Sequence, residues 1–160
     1  MQNTNDKPKL YLMIGNIGSG KSTLCKYYKK KGAIVLSRDA LRYALGSGDY
    51  LFDYKYEPII QKTIMVFFTS LLKLKSDIVI DEVNAKRKNR IKYIKLAKEK
   101  DYEVIALVMP YLNKEDSIER RLSNNHGNIS KEVWNEVWEK FNVQYDIPIL
   151  PEGFDKIILI

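Results

Sequence analysis

With 160 residues and a formal charge of +7 at pH 7, the chain is long enough for one domain with a sizeable core and too short for a second. Its 45% hydrophobic and 29% charged residues are those of an ordinary globular protein and exclude fibrous and disordered classes. The basic charge is spread over many lysines instead of a tail, which favours an anionic partner without naming it. Met1 to Lys9 is polar, contains Pro8 and has no secretory apolar stretch, so it reads as a flexible arm. The longest apolar cluster, Ile59 to Leu74, is interrupted by Gln61, Lys62, Thr63, Thr69, Ser70 and Lys73 and is too short and polar to span a bilayer. A lone Cys25 allows no internal disulfide and fits a reducing compartment, so the expected location is cytoplasmic, with no membrane partner.

The apolar run Leu10-Tyr11-Leu12-Met13-Ile14 predicts the first strand, and Gly15-Asn16-Ile17-Gly18-Ser19-Gly20-Lys21-Ser22-Thr23 follows it directly. In that context the glycines let backbone amides turn onto phosphate oxygens, Lys21 reaches the β and γ phosphates, Ser22 can ligand Mg²⁺ and Thr23 can hold the α phosphate. Gly15, Asn16, Gly18, Ser19, Gly20, Lys21, Ser22 and Thr23 are therefore the expected site for ATP or another nucleoside triphosphate. The first helix runs from about Lys21 to Lys30, and Ala33 to Ser37 reads as the second strand. Arg38-Asp39-Ala40-Leu41-Arg42 then lies at the carboxyl edge of that strand, where ligands bind in doubly wound sheets.

Gly46-Ser47-Gly48-Asp49 breaks the following helix, and Tyr50 to Tyr56, with Asp49, Asp53 and Glu57, reads as a surface loop with aromatic groups. Pro58 opens a helix with Ile60, Ile64, Phe67, Phe68, Leu71 and Leu72 as a broad apolar stripe. Asp77 to Asp81 is a short buried strand ending in a carboxylate. Lys86-Arg87-Lys88-Asn89-Arg90 opens a helix with Ile91, Ile94 and Ala97 on one side, and Tyr102 to Met109 is the next strand. Asn113 with Asp116 caps a helix whose Ile118 and Leu122 share the inner face. Ser130 caps the last helix, where Val133, Trp134, Val137, Trp138 and Phe141 form an apolar sector and the tryptophans read as core. Lys156 to Ile160 is the final strand. The alternation predicts an α/β three-layer sandwich with a mainly parallel five-stranded sheet.

Asp39 and Arg42, three apart, share a helix face; the carboxylate can take a proton from an attacking hydroxyl while the guanidinium holds the migrating phosphoryl group. Asp81 reads either as a group that holds Mg²⁺ through its bound water or as an acceptor-positioning group. The polar segment 114–127 is the expected lid, with Arg120 or Arg121 closing over the phosphates. Lys86, Arg87, Lys88 and Arg90 either track a phosphodiester backbone or form a solvated helix face.

The phosphate loop, Ser37 to Arg42, Ile80-Asp81-Glu82-Val83-Asn84, the basic lid segment and Pro151-Glu152-Gly153-Phe154-Asp155 together resemble the kinase domain of the phage-type polynucleotide 5′-hydroxyl kinases. The resemblance implies an adenylate-kinase-like fold and transfer of the ATP γ phosphate, with Mg²⁺, to the 5′-hydroxyl of DNA or RNA. It assigns Lys21, Ser22 and Thr23 to phosphates and metal, Asp39 to general base, Arg42 to the scissile phosphate, and Asp81 with Asn84 to the acceptor side. Two features depart from that family: His126 stands before the lid Gly127 where the phage enzymes tend to carry arginine, and no residues remain for a phosphatase domain. Two other readings stand beside this one, a small-molecule phosphate-loop kinase and a nucleotide-binding regulatory or repair-scaffold protein.

Overall fold

The structure is a computed structural model that describes residues 6–124 and 129–160. In chain order the elements are β1 (Lys9–Ile14), α1 (Lys21–Lys30), β2 (Ile34–Leu36), α2 (Arg38–Leu45), α3 (Glu57–Lys73), β3 (Ile78–Ile80), α4 (Arg87–Lys98), β4 (Glu103–Val108), α5 (Lys114–Ser123), α6 (Lys131–Val143), a 3₁₀ turn (Leu150–Glu152) and β5 (Lys156–Leu159). The five strands form one sheet in the order β2-β3-β1-β4-β5, and every pairing is parallel. The expected α/β architecture is thus present, with the sheet wholly parallel.

Strand β1 sits at the centre and is covered on both faces, which is why its sequence is a nearly continuous apolar run. Leu10, Leu12 and Ile14 face a core built with Ile64, Phe68 and Leu72 of α3 and Tyr93, Ile94 and Ala97 of α4. Met13 points the other way, into a second core with Cys25 of α1, Val79, Ile105 and Leu107. A third cluster of Ile17, Ile118, Trp134 and Trp138 joins α5 and α6 to the phosphate loop, so the tryptophans are core as expected.

Several local expectations shift by part of a turn. The inner face of α4 is Arg90, Tyr93, Ile94 and Ala97, whereas Ile91 is 39% exposed. Phe67, Leu122 and Val133 are likewise exposed, because each helix needs a narrower stripe than its apolar residues suggest. Pro8 and Lys9, read as part of the amino-terminal arm, are bonded to the sheet. Lys9 already belongs to β1, its amide donating to Asp77 Oδ1 at 2.7 Å, and Pro8 O accepts from the Glu103 amide at 3.0 Å. The expected caps Asn113 and Ser130 accept from backbone amides at the start of α5 and α6, and Ser37, read as the end of the second strand, does the same for α2. Among the described residues no helix is long and apolar enough to cross a membrane.

Candidate active site

The carboxyl edge of the sheet gathers the loop 15–20 after β1, the amino end of α2 after β2 and Asp81 after β3. Parallel strands with short connections to helices force this convergence. The phosphate loop is braced from three sides. The Gly15 amide donates to Val83 O at 3.1 Å, the Met109 amide donates to Ile14 O at 2.8 Å, and Asn16 Nδ2 donates to Trp138 O at 3.1 Å. Close approach dictates two of the glycines. A Cβ on Gly15 would lie 2.7 Å from Met109 Cβ, and Gly18, at φ 71°, would place one 2.6 Å from Ser117 O.

Lys21 folds its ammonium onto the loop, donating to Gly15 O at 2.9 Å and Asn16 O at 2.7 Å, with Ser19 Oγ at 3.4 Å. Burial lowers its pKa to about 8; the Asp81 and Asp39 carboxylates oppose that fall and the Arg121 charge adds to it. Ser22 Oγ donates to Asp81 Oδ2 at 3.0 Å. Burial pushes the Asp81 carboxyl upward, against the pull of the Ser22 hydroxyl and Lys21. The hydroxyl and the carboxylate are hard oxygen donors on one spot, and Mg²⁺ characteristically takes one or two protein oxygens and fills its remaining positions with water and substrate phosphates. Ser22 and Asp81 therefore fit a Mg²⁺ site. Of the two sequence readings of Asp81, its contact lies on the metal side.

Asp39 lies in the first turn of α2 and is held on several sides. Its Oδ1 accepts from Tyr50 OH at 2.8 Å and from Arg42 Nη1 at 2.5 Å, and Arg121 Nη2 stands 3.7 Å from Oδ2. Burial presses its pKa upward, but the Tyr50 hydroxyl and the two guanidinium groups outweigh it, so the carboxyl lies below the ordinary carboxylate value. Arg42 is itself clasped by Glu57 through two parallel bonds and lies under the rings of Phe52 and Tyr50. Neither Glu57 nor Tyr50 was legible as a site residue in the sequence, where both belonged to an aromatic surface loop. A single signal pointed to them, the concentration of tyrosines and acids just after the Asp39–Arg42 turn.

Of the two arginines of the expected lid, Arg121 turns inward, its guanidinium 4.4 Å from the centre of the Trp134 ring and its buried Nε without a hydrogen-bond partner among the described residues, while Arg120 is exposed. His126 and Gly127, and the end of the expected lid, lie outside the described residues. Asn84, assigned to the acceptor side by the resemblance, is 3% exposed and donates its Nδ2 to Met13 O at 2.8 Å, so its contact is with the central strand. Glu82 beside it pairs with Arg38 at 3.1 Å. Lys86 precedes α4 at its N-cap and Arg87 and Lys88 are exposed, but Arg90 leaves the basic run. It is fully buried, paired with Glu152 through bonds of 2.8 and 2.7 Å, and donates to the carbonyls of Asn84, Ala85 and Asp146. No phosphodiester can reach it there.

A parallel sheet of this order with a phosphate loop after β1 and a carboxylate on its serine is the fold of the phosphate-loop kinases. A family model described as an AAA domain matches residues 10–148, and the chain belongs to that family. No curated protein matches the chain. Among solved structures, the chain is similar to one in the Pnkp1/Rnl/Hen1 RNA repair complex (TM-score 0.69, 24% identity, 89% of this chain and 47% of that one). It is also similar to a fungal RNA kinase (TM-score 0.65, 15% identity, 96% and 74%) and to a gluconokinase from Sinorhizobium meliloti 1021 (TM-score 0.57, 17% identity, 98% and 83%). The chain thus spans about half the length of the RNA repair chain it matches. At these identities the likenesses establish the fold.

Proposed function

We propose that the domain is an ATP-dependent kinase that phosphorylates the 5′-hydroxyl end of nucleic acid. The observation that carries this reading is Asp39, a carboxylate whose pKa Tyr50 and Arg42 hold down, with Arg121 3.7 Å from its other oxygen and its charge felt at Lys21. Nucleotide binding alone needs no such group, whereas a hydroxyl nucleophile must lose its proton as it attacks.

In this reading the acceptor oxygen forms its bond to the γ phosphorus as the bond to the β–γ bridging oxygen breaks. The hydroxyl proton passes to an Asp39 oxygen and ADP leaves. Lys21 and Arg121 offset the charge that develops on the transferred group. Ser22 and Asp81 would hold Mg²⁺, which would supply neutralisation of phosphate charge. Arg42 differs from what the resemblance implies. With its Nε and Nη2 on Glu57 and its Nη1 on Asp39, it serves to orient the base.

The polymer as acceptor is supported by the likeness to an RNA repair chain and an RNA kinase and by half-buried Lys86 with exposed Arg87 and Lys88 at one end of α4. The likeness to a gluconokinase favours a second reading, a small-molecule kinase on the same machinery. The test is transfer of labelled γ phosphate from ATP to a 5′-hydroxyl oligonucleotide, run beside nucleosides and sugar acids, with Lys21→Ala as control. Labelled oligonucleotide, abolished in the control, is the expected result. Labelling of a small acceptor alone favours the second reading, and labelling of none leaves a nucleotide-binding protein without transfer.

A further inference from the structure

The loop between α2 and α3 leaves two large aromatic side chains in solvent beside Asp39. Phe52 is 47% exposed and Tyr54 81% exposed, and their rings meet edge to face with centroids 5.1 Å apart. A single exposed aromatic residue requires no explanation. This pair is connected to the base. The Phe52 centroid lies 5.4 Å from the Arg42 guanidinium carbon, and that guanidinium donates to Asp39. Tyr50, two residues before Phe52, donates to the same Asp39 oxygen and is backed by Tyr43 with ring centroids 5.2 Å apart. Asp53 ties the loop to itself, its Oδ1 accepting from the Lys55 amide and its carbonyl from the Tyr56 amide, both at 2.9 Å. The rings are therefore set at a defined place relative to the proton acceptor.

Charge on this edge is already committed. Arg42 is paired with Glu57 and Asp39, Arg38 with Glu82, and Lys55 with Asp53. An acceptor arriving at Asp39 meets the Arg42 guanidinium already paired with two carboxylates, and beside it two exposed aromatic side chains. Resting on the kinase reading above, we propose that Phe52 and Tyr54 form a stacking shelf for the nucleobases at the 5′ end of a single-stranded acceptor. Every base offers a π face, so such a shelf admits nucleic acid of any sequence and places its first sugar hydroxyl at Asp39. An aliphatic polyol has no planar ring to lay on it.

The test combines a protein change with a substrate change. The substrates are a 5′-hydroxyl oligonucleotide and the same strand with abasic residues at its first two positions; the proteins are wild type, Tyr54→Ala and the double variant Phe52→Ala/Tyr54→Ala. Both side chains are exposed, and unchanged thermal midpoint and ATP affinity verify that the variants are folded. In wild type, removing the bases raises KM about tenfold or more, the loss that one stacked base typically represents. In the double variant the intact strand acquires the KM of the abasic one, and removing its bases changes nothing further. Tyr54→Ala falls between. Because phosphate charge contributes little at this end, the penalty for removing bases stays the same between low and high salt. Equal KM for intact and abasic strands in wild type, or a full abasic penalty in the double variant, overturns the shelf. Binding of an oligonucleotide carrying 2-aminopurine at its 5′ end reads stacking without turnover. Quenching on wild type and none on the double variant supports the shelf even if no phosphate is transferred, which would overturn the kinase reading alone. Binding without quenching overturns the shelf alone.

Discussion

Arg42 and Glu57 meet edge to edge: Nε donates to Oε1 at 2.9 Å and Nη2 to Oε2 at 2.7 Å, which leaves Nη1 for Asp39. The planar fork of arginine is matched to a carboxylate on one side and delivers a single donor to the base on the other. The sign of a substitution at Glu57 follows from this. Glu57→Gln loosens Arg42, lets Asp39 wander from its attacking geometry and lowers the single-turnover transfer rate about tenfold, with ATP affinity unchanged. A faster variant would show instead that the clasp withholds Arg42 from a phosphate.

Asp39→Asn retains the shape of the side chain and removes the proton acceptor. Titration should show near-normal ATP affinity, and single-turnover transfer should fall about a hundredfold or more. Retention of over about a tenth of the wild-type rate excludes Asp39 as the essential base.

The pH profile separates Asp39 from its supports. A carboxyl whose pKa is depressed stays charged as pH falls through the ordinary carboxylate range, so its acid limb lies below that range. Tyr50→Phe removes the hydroxyl hydrogen bond that helps hold the pKa down, and the acid limb of transfer should move up toward the ordinary value. The difference between the two profiles reads Asp39 itself, and coincident profiles would deny Tyr50 this part.

Arg90 and Glu152 are fully buried at their side chains, so removing one leaves the other as an uncompensated charge. Glu152→Ala should destabilise the fold by about 3–5 kcal/mol in denaturant unfolding. Arg90→Met with Glu152→Leu should recover much of that loss, whereas Arg87→Ala, on the exposed side of the same helix, should shift stability by no more than about 0.5 kcal/mol.

Neutralising Lys86, Arg87 and Lys88 together should raise KM for an oligonucleotide and flatten its salt dependence by about 0.7 in log–log slope for each phosphate that a side chain no longer neutralises, with KM for ATP unmoved. An unchanged slope would make the run a solvated face.

The phosphate loop, the strands and the caps were legible because each is a local pattern: glycines, lysine and serine at fixed offsets, an apolar run, a serine before a helix. Glu57 was not, because its bond to Arg42 depends on how α3 packs on α2. Arg90 was read with its basic neighbours, since nothing nearby in sequence announces Glu152, 62 residues on, as its partner. Arg121 was within reach. It lies three residues after buried Ile118 and so shares the inner face of α5, a phase argument that favours it over Arg120.

The central place of β1 bears on how the chain is made. Its partners are β3 and β4, with Leu10 beside Ile78 and Lys9 beside Glu103, so β1 leaves the ribosome well before either neighbour and has both only after Val108 has followed. At typical elongation speeds that interval is on the order of five to twenty seconds, and until β3 has emerged the apolar run Leu10 to Ile14 has no neighbouring strand to join. Non-local parallel pairing of this kind forms slowly and leaves strands open to other chains meanwhile. The Gly15 amide, whose partner is Val83 O, waits through much of the same interval. Changes that weaken β4 should therefore be seen first as chain lost to aggregates during synthesis, and only afterwards as weak nucleotide binding in whatever remains in solution.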